Sequence, residues 1–155
     1  MNLHTKSYSE ACEQNKEPIL AVLREVFTEP GLILEIGAGT GQHAVHFAWA
    51  LPHLDWQPTD QAPYLPGIRQ WITEANLPNL RPPLELDVCR EPWPIAQAAG
   101  VFSANTTHIM HWPAVESLFR GVGRVLEPGR AFCLYGPFNY EGRYTSASNA
   151  QFDAL

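Results

Sequence analysis

The sequence predicts an α/β protein built on a doubly wound parallel sheet, and three observations carry that prediction. Short apolar runs and helix-period stripes alternate along the chain, the pattern of β-α units whose sheet is covered on both faces. The first four runs end at a glycine turn, an aspartate or an asparagine, where such sheets open their ligand crevice. The 155 residues, 45% hydrophobic and 17% charged, suit one globular domain with a sizeable core and are too few for two.

Taken in order, the elements read as follows. From Pro18 onward, Ile19, Leu20, Val22, Leu23, Val26 and Phe27 fall at i, i+3, i+4, i+7 spacing, an amphipathic helix closed by Pro30-Gly31. Leu32 to Ile36 is apolar except for Glu35, as expected of a strand buried on both faces. A helical stripe of Ala44, Val45, Phe47, Ala48 and Leu51 follows and stops at Pro52. Leu54 to Thr59 is a weaker strand ending at Asp60, and Ile68, Trp71, Ile72 and Ala75 mark the next helix. PLELDV, ending at Val88, reads as a strand with its acid, Asp87, at the end; Val101 to Ala104 is a strand that breaks at Asn105. Trp112-Pro113 opens a helix bearing Val115, Leu118, Phe119 and Val122, and a turn at Pro128-Gly129 leads into a buried strand from Arg130 to Tyr135. Ser148-Asn149-Ala150-Gln151 has the S-x-x-Q form of a capping box, so a helix is expected to open there and the chain to stop inside it.

Composition narrows the function. The net charge is −6 and no run of Lys or Arg occurs, which argues against a nucleic-acid partner held by phosphate neutralisation. Three widely spaced cysteines, Cys12, Cys89 and Cys133, suit free thiols packed in the core of a protein in a reducing compartment. No apolar run approaches the roughly 20 residues of a membrane span, and the first residues lack the apolar stretch of a secretory signal. The expectation is a cytoplasmic protein without membrane or nucleic-acid partners, its oligomeric state open.

The chemistry gathers at "LEIGAGTGQH". Gly37, Gly39 and Gly41 stand where the first strand hands over to a helix, at the switch point of the predicted sheet. Glycines let the backbone turn tightly and approach a ligand, and the N–H groups opening the helix favour negative charge. The dinucleotide fingerprint G-x-G-x-x-G wants a small residue at position 42, where this chain has Gln42. The spacing here is instead E-x-G-x-G-x-G, counted from Glu35.

That pattern resembles the first motif of class I S-adenosylmethionine-dependent methyltransferases, whose fold is Rossmann-like. Asp60, Asp87-Val88 and Asn105 then follow in the order that family uses, and "RVLEPGRAFCLYGPF" resembles its helix–turn–fifth-strand segment. More closely, "ACEQNKEPILAVLREVF", "IGAGTGQHAVHFAWALPHLDWQPTD", "RPPLELDV" and "YGPFNYEGRYTSASNAQFDA" resemble the small family containing methyltransferase-like protein 26, once catalogued as a domain of unknown function. The resemblance implies one methyltransferase domain over 1–155: a helical lid in 1–30, the Rossmann-like core in 31–136, and a substrate-side loop with the start of a helix in 137–155. The usual antiparallel hairpin after the fifth strand is expected to be missing.

The resemblance also implies roles. S-adenosylmethionine would be the cofactor, cradled by Gly37, Ala38, Gly39 and Gly41. Glu35 would accept hydrogen bonds from the glycine-turn N–H groups or the methionine ammonium, Asp60 would take the ribose hydroxyls, and Asp87 with Val88 would meet the adenine. His43 would lie near the cofactor, and Asn15 with Lys16, ahead of the first helix, would form a lid over the methionine moiety or the substrate, which makes Asn15 a cofactor-binding candidate. Asn105, ending the fourth strand beside the methionine and sulfonium end, would be both a cofactor-binding residue and, with His108, a catalytic candidate, His108 as a base near neutral pH; His111 is a weaker one that packing at the next helix start explains as well. Trp112, Tyr135, Phe138 and Tyr140 are candidates for an aromatic wall against the methyl acceptor, a small molecule or a protein. His43 and His46 lack a third ligand at suitable spacing, so no metal site is expected. The alternatives are a non-catalytic cofactor-binding regulator and, disfavoured by Gln42, a nicotinamide-dependent oxidoreductase.

Overall fold

The computed structural model describes residues 6–104, 110–136, 139–140, 143–144 and 150–154. A helix, α1 (Glu10–Val26), leads into β1 (Gly31–Ile36), α2 (Gln42–Ala50) and β2 (Leu54–Asp60). A short 3₁₀ turn precedes α3 (Leu65–Ala75); β3 (Leu84–Glu85), β4 (Gly100–Ala104), α4 (Trp112–Val125) and β5 (Ala131–Tyr135) complete the core. Strands β6 (Asn139–Tyr140) and β7 (Arg143–Tyr144) pair with each other, and β8 (Ala150–Ala154) joins the main sheet. The order is β3-β2-β1-β4-β5-β8, with the first five strands parallel and β8 antiparallel to β5. The expected doubly wound sheet is therefore present, and its direction of winding reverses at β1, between β2 and β4.

Alternation along the central strands builds a core on each face. Ile33, Phe102 and Cys133 turn toward α1 and α2 and pack with Leu20, Leu23, Phe47 and Trp56. Leu34, Ile36, Val101 and Leu134 turn the other way, against Leu118, Val122 and Trp93. Burying each such side chain contributes about 1.5–3 kcal/mol, which is why unbroken apolar runs belong in the middle of the sheet.

Three expectations are corrected. The first helix begins at Glu10, not at Pro18. Ser9, in extended conformation, caps it by accepting the Cys12 N–H at 3.3 Å, and Glu10 and Glu13 suit its positive end. Pro18 lies inside and removes one helical bond, a cost offset by the buried Ile19, Leu20 and Leu23 beyond it. The third strand is only Leu84–Glu85, because Pro82 and Pro83 bring no N–H to the ladder and Asp87 closes a turn by accepting the Cys89 N–H at 2.9 Å. At the carboxyl end, residues 150–154 form a strand on the edge of β5 where a helix start was expected, so the sheet does carry an antiparallel strand. A capping box is a local signal, and the open edge of β5 outweighs it.

Candidate functional site

The site grows from the carboxyl end of β1. Thr59 Oγ1 donates to the Glu35 carbonyl and Ser103 Oγ to the Ile36 carbonyl, both at 2.7 Å, so the neighbouring strands fix the place where β1 ends. The chain then turns through Gly37, Gly39 and Gly41, with φ of 75°, 61° and 97°. Gly37 and Ala38 both donate to the Thr59 carbonyl, at 3.0 and 2.9 Å. Gly41 is needed twice over, for its φ and because a Cβ would lie 3.2 Å from the Ile68 Cα. At Gly39 only φ demands glycine, since a Cβ would meet nothing within 4 Å. The turn thus presents an open front.

Asp60, at the end of β2, closes one side of that front. Its Oδ2 accepts the Gly39 N–H at 2.8 Å and its Oδ1 the Gln61 N–H at 2.7 Å. Desolvation raises its pKa, and the two N–H donors work against that rise. Leu86 donates to the Asp60 carbonyl at 2.9 Å, which brings the Asp87–Val88 turn alongside. The Asp87 carboxylate serves that turn, and Val88 is buried in the α4-side cluster with its carbonyl accepting from Trp93.

Glu35 lies beneath the turn and is only 1% exposed. It does not accept the glycine-turn N–H groups: those of Gly37 and Ala38 go to Thr59, that of Gly39 to Asp60 and that of Gly41 to the Ala38 carbonyl. Its Oε1 accepts the Trp56 indole N–H at 2.9 Å. Burial pushes the carboxyl up to about 7, against the lowering effect of the indole bond, with the nearby Asp60 adding to the rise.

The first turn of α2 carries the connections that sequence reasoning missed. Gln42, 3% exposed, accepts from the Ser9 N–H and from Thr40 Oγ1 at 2.9 Å, and donates to the Ser9 carbonyl at 3.2 Å and to Glu13 Oε2 at 2.8 Å. His43 Nε2 shares a 2.8 Å hydrogen bond with Asn15 Oδ1. Burial pushes His43 down to about 4, so its ring is neutral near pH 7. Lys16 pairs with Glu13 at 2.6 Å, and those bonds from Lys16 and Gln42 hold the Glu13 carboxyl below its usual range. Asn15 and Lys16 therefore belong to α1 itself and face α2 or their own helix. His43, Asn15 and Lys16 were candidates in the sequence, and Gln42 left a trace as the residue that spoils a dinucleotide fingerprint; Ser9, Glu13 and Thr40 left none.

The structure thus brings together Glu35, Gly37, Ala38, Gly39, Gly41, His43, Asp60 and Asn15, with Asp87 and Val88 beside them. Asn105, His108 and Phe138 lie outside the described residues, as does the side chain of Tyr140. His111 caps α4 through its carbonyl, which accepts from Ala114 and Val115. Trp112 is exposed and Tyr135 is a core residue, so these two do not form one wall. His46 turns to Glu17, at 2.7 Å. Of the cysteines expected in the core, Cys133 is there, with its thiol pushed up to about 12 by burial; Cys12 is half-buried and Cys89 exposed. Among the described residues no helix is long and apolar enough to cross a membrane.

A parallel sheet reversing at β1, a left-handed glycine turn at the switch point and an aspartate ending β2 define a Rossmann-like fold. Solved structures share it. The chain is similar to the S-adenosylmethionine-dependent methyltransferase SibL in its apo form, with a TM-score of 0.73 at 24% identity over 84% of this chain and 37% of that one. It is similar to an O-methyltransferase family protein from Burkholderia thailandensis, TM-score 0.67 at 18% identity, over 84% of this chain and 40% of that one. It is also similar to the O-methyltransferase of a trans-AT polyketide synthase multienzyme from Brevibacillus brevis, solved with S-adenosyl-L-homocysteine, TM-score 0.64 at 18% identity, over 83% of this chain and 45% of that one. The chain thus spans less than half the length of each. By sequence, over residues 6–155, it belongs to the family described as Protein of unknown function (DUF938).

Proposed function

We propose that the chain is an S-adenosylmethionine-dependent methyltransferase acting on a small-molecule or protein acceptor, related to the family of methyltransferase-like protein 26. The observation that carries this reading is the Asp60 carboxylate, 2.8 Å from the Gly39 N–H on the rim of an open glycine turn. A carboxylate has about four acceptor positions and this one spends two on backbone donors, which leaves room for the two hydroxyls of a ribose. The residues fit the cofactor elsewhere too. Gly37, Ala38 and Gly39 offer close backbone approach, and the Asp87–Val88 turn stands beside Asp60 for the adenine end.

S-adenosylmethionine would supply an activated sulfonium methyl group at this cradle. The task left to the chain is to bind, orient and exclude water, and holding an acceptor in line supplies about 7–11 kcal/mol of such a barrier. Asn105 and His108, which follow β4 in sequence, are assigned to the acceptor side, with His108 as base where the acceptor must lose a proton. The neutral His43 and Asn15 back the turn from α1 and α2.

Calorimetry with S-adenosylhomocysteine tests the cradle, with NAD as the control ligand. The expected result is micromolar binding, no NAD binding, and a loss of tenfold or more in Asp60→Ala, which is about 1.4 kcal/mol. Absence of binding by the folded chain, or NAD binding in its place, overturns the reading.

A further inference from the structure

Gln42 has no part in the cradle as assigned, yet it is the most heavily bonded buried polar side chain beside it. Its carboxamide reaches three places at once: the backbone of Ser9 on both its N–H and its carbonyl, the Glu13 carboxylate, and the Thr40 hydroxyl inside the glycine turn. Thr40 Oγ1 in turn accepts the Gln42 N–H at 3.2 Å. The glycine turn is thereby pinned from outside, at its one hydroxyl-bearing residue, to the first turn of α1.

The two halves of α1 are held differently. Ile19, Leu20 and Leu23 anchor the second half in the core. The first half carries no buried side chain and rests on α2 through Ser9 and Glu13 to Gln42, Asn15 to His43, and Glu17 to His46. Ahead of it the chain is tied to α3, where Trp71 donates to the Ser7 carbonyl and Lys6 stands 3.7 Å over the Trp71 ring. Three left-handed glycines leave a turn with much conformational freedom to lose on ordering. When only a fraction of molecules hold the competent turn, apparent affinity falls by that fraction.

We propose that Gln42 is a positioning residue that preorganises the glycine turn by locking it to the first turn of α1, so that ligand affinity depends on this bond network without Gln42 touching the ligand. The inference rests on the reading of the turn as a S-adenosylmethionine cradle. Gln42 offers both an acceptor and a donor, and Glu13 supplies only an acceptor. Gln42→Glu sets two carboxylates against each other and takes the carboxamide donor away from the Ser9 carbonyl; adding Glu13→Gln restores the bond between positions 42 and 13 with donor and acceptor exchanged, but not the donor to Ser9.

The experiment measures S-adenosylhomocysteine affinity by calorimetry and amide hydrogen exchange of residues 9–17 and 37–43, for the wild type, Gln42→Ala, Gln42→Glu and the double variant Gln42→Glu with Glu13→Gln. Exchange in β1 and β4 serves as the check on the fold. The expected result is a tenfold or greater loss of affinity in Gln42→Ala, a larger loss in Gln42→Glu, and partial recovery in the double variant, which regains the bond between positions 42 and 13 alone. Exchange at 9–17 and 37–43 accelerates in step, while β1 and β4 stay protected. Affinity within twofold of wild type in Gln42→Ala, or no recovery in a double variant whose β1 and β4 remain protected, overturns the inference and leaves the cradle standing. No binding by the wild type overturns the cradle itself, and the affinity claim with it.

Discussion

The two faces of the sheet differ in what they enclose. Under α1 and α2, the rings of Phe47, Trp56 and Phe102 pack at centroid distances of 5.5–6.0 Å around a carboxyl, that of Glu35, with the neutral His43 stacked on Phe47 at 5.2 Å. Under α4, the cluster of Leu34, Ile36, Val101, Leu118, Val122, Phe132 and Leu134 contains neither carboxyl nor imidazole. Both are packed, yet among the described residues it is the first that buries a carboxyl and an imidazole beside the glycine turn. The α4 face therefore answers to volume, and the α1–α2 face answers to volume and pH together.

The largest effect expected is on the apolar face. Leu118 is fully buried, so Leu118→Ala removes side-chain burial and leaves a cavity, at a cost of about 2–5 kcal/mol. Urea denaturation at pH 5 and at pH 8 should give the same loss; a pH-dependent loss would mean that the two faces are electrostatically coupled.

Glu35→Gln sharpens the contrast from the other side. With its carboxyl at about 7 instead of the ordinary 4.5, the folded protein keeps a proton that the unfolded chain releases, so stability falls as pH rises from about 4.5 to 7. Glutamine is neutral throughout and can still accept the Trp56 indole N–H. Relative to wild type, Glu35→Gln should gain up to about 3 kcal/mol between pH 4.5 and pH 8. Parallel denaturation curves across that range would show that Glu35 ionises as an ordinary surface acid does. The smallest effect belongs to Trp49, on the outer side of α2 and 68% exposed. Trp49→Ser should shift stability by less than about 0.5 kcal/mol, and a larger loss would reveal packing on that side of α2.

Much of the fold was legible because its signals are local. The apolar run at β1 is bounded by glycines, and the stripes of α2, α3 and α4 keep helical period. Asp60 stands where a strand must stop. Pro18 misled because a proline is read as a boundary, while the burial of Ile19, Leu20 and Leu23 that carries α1 past it comes from the sheet. The S-x-x-Q at 148–151 misled because edge pairing on β5 is a contact with residues 131–135. Glu35 was legible as the one acid in the first strand but its partner was not, since nothing near it in the chain announces the indole of Trp56.

The sequence by itself determined the alternation of strand and helix, the glycine turn with its left-handed backbone, and the acid that ends β2, because each follows from a residue's own conformational preference or from a short period. Only the tertiary structure decided how deeply Glu35 is buried, which side chain Gln42 holds, and that residues 150–154 become a strand. Burial, desolvation and hydrogen bonds between distant segments depend on which surfaces meet, and that is settled when the sheet closes against its helices.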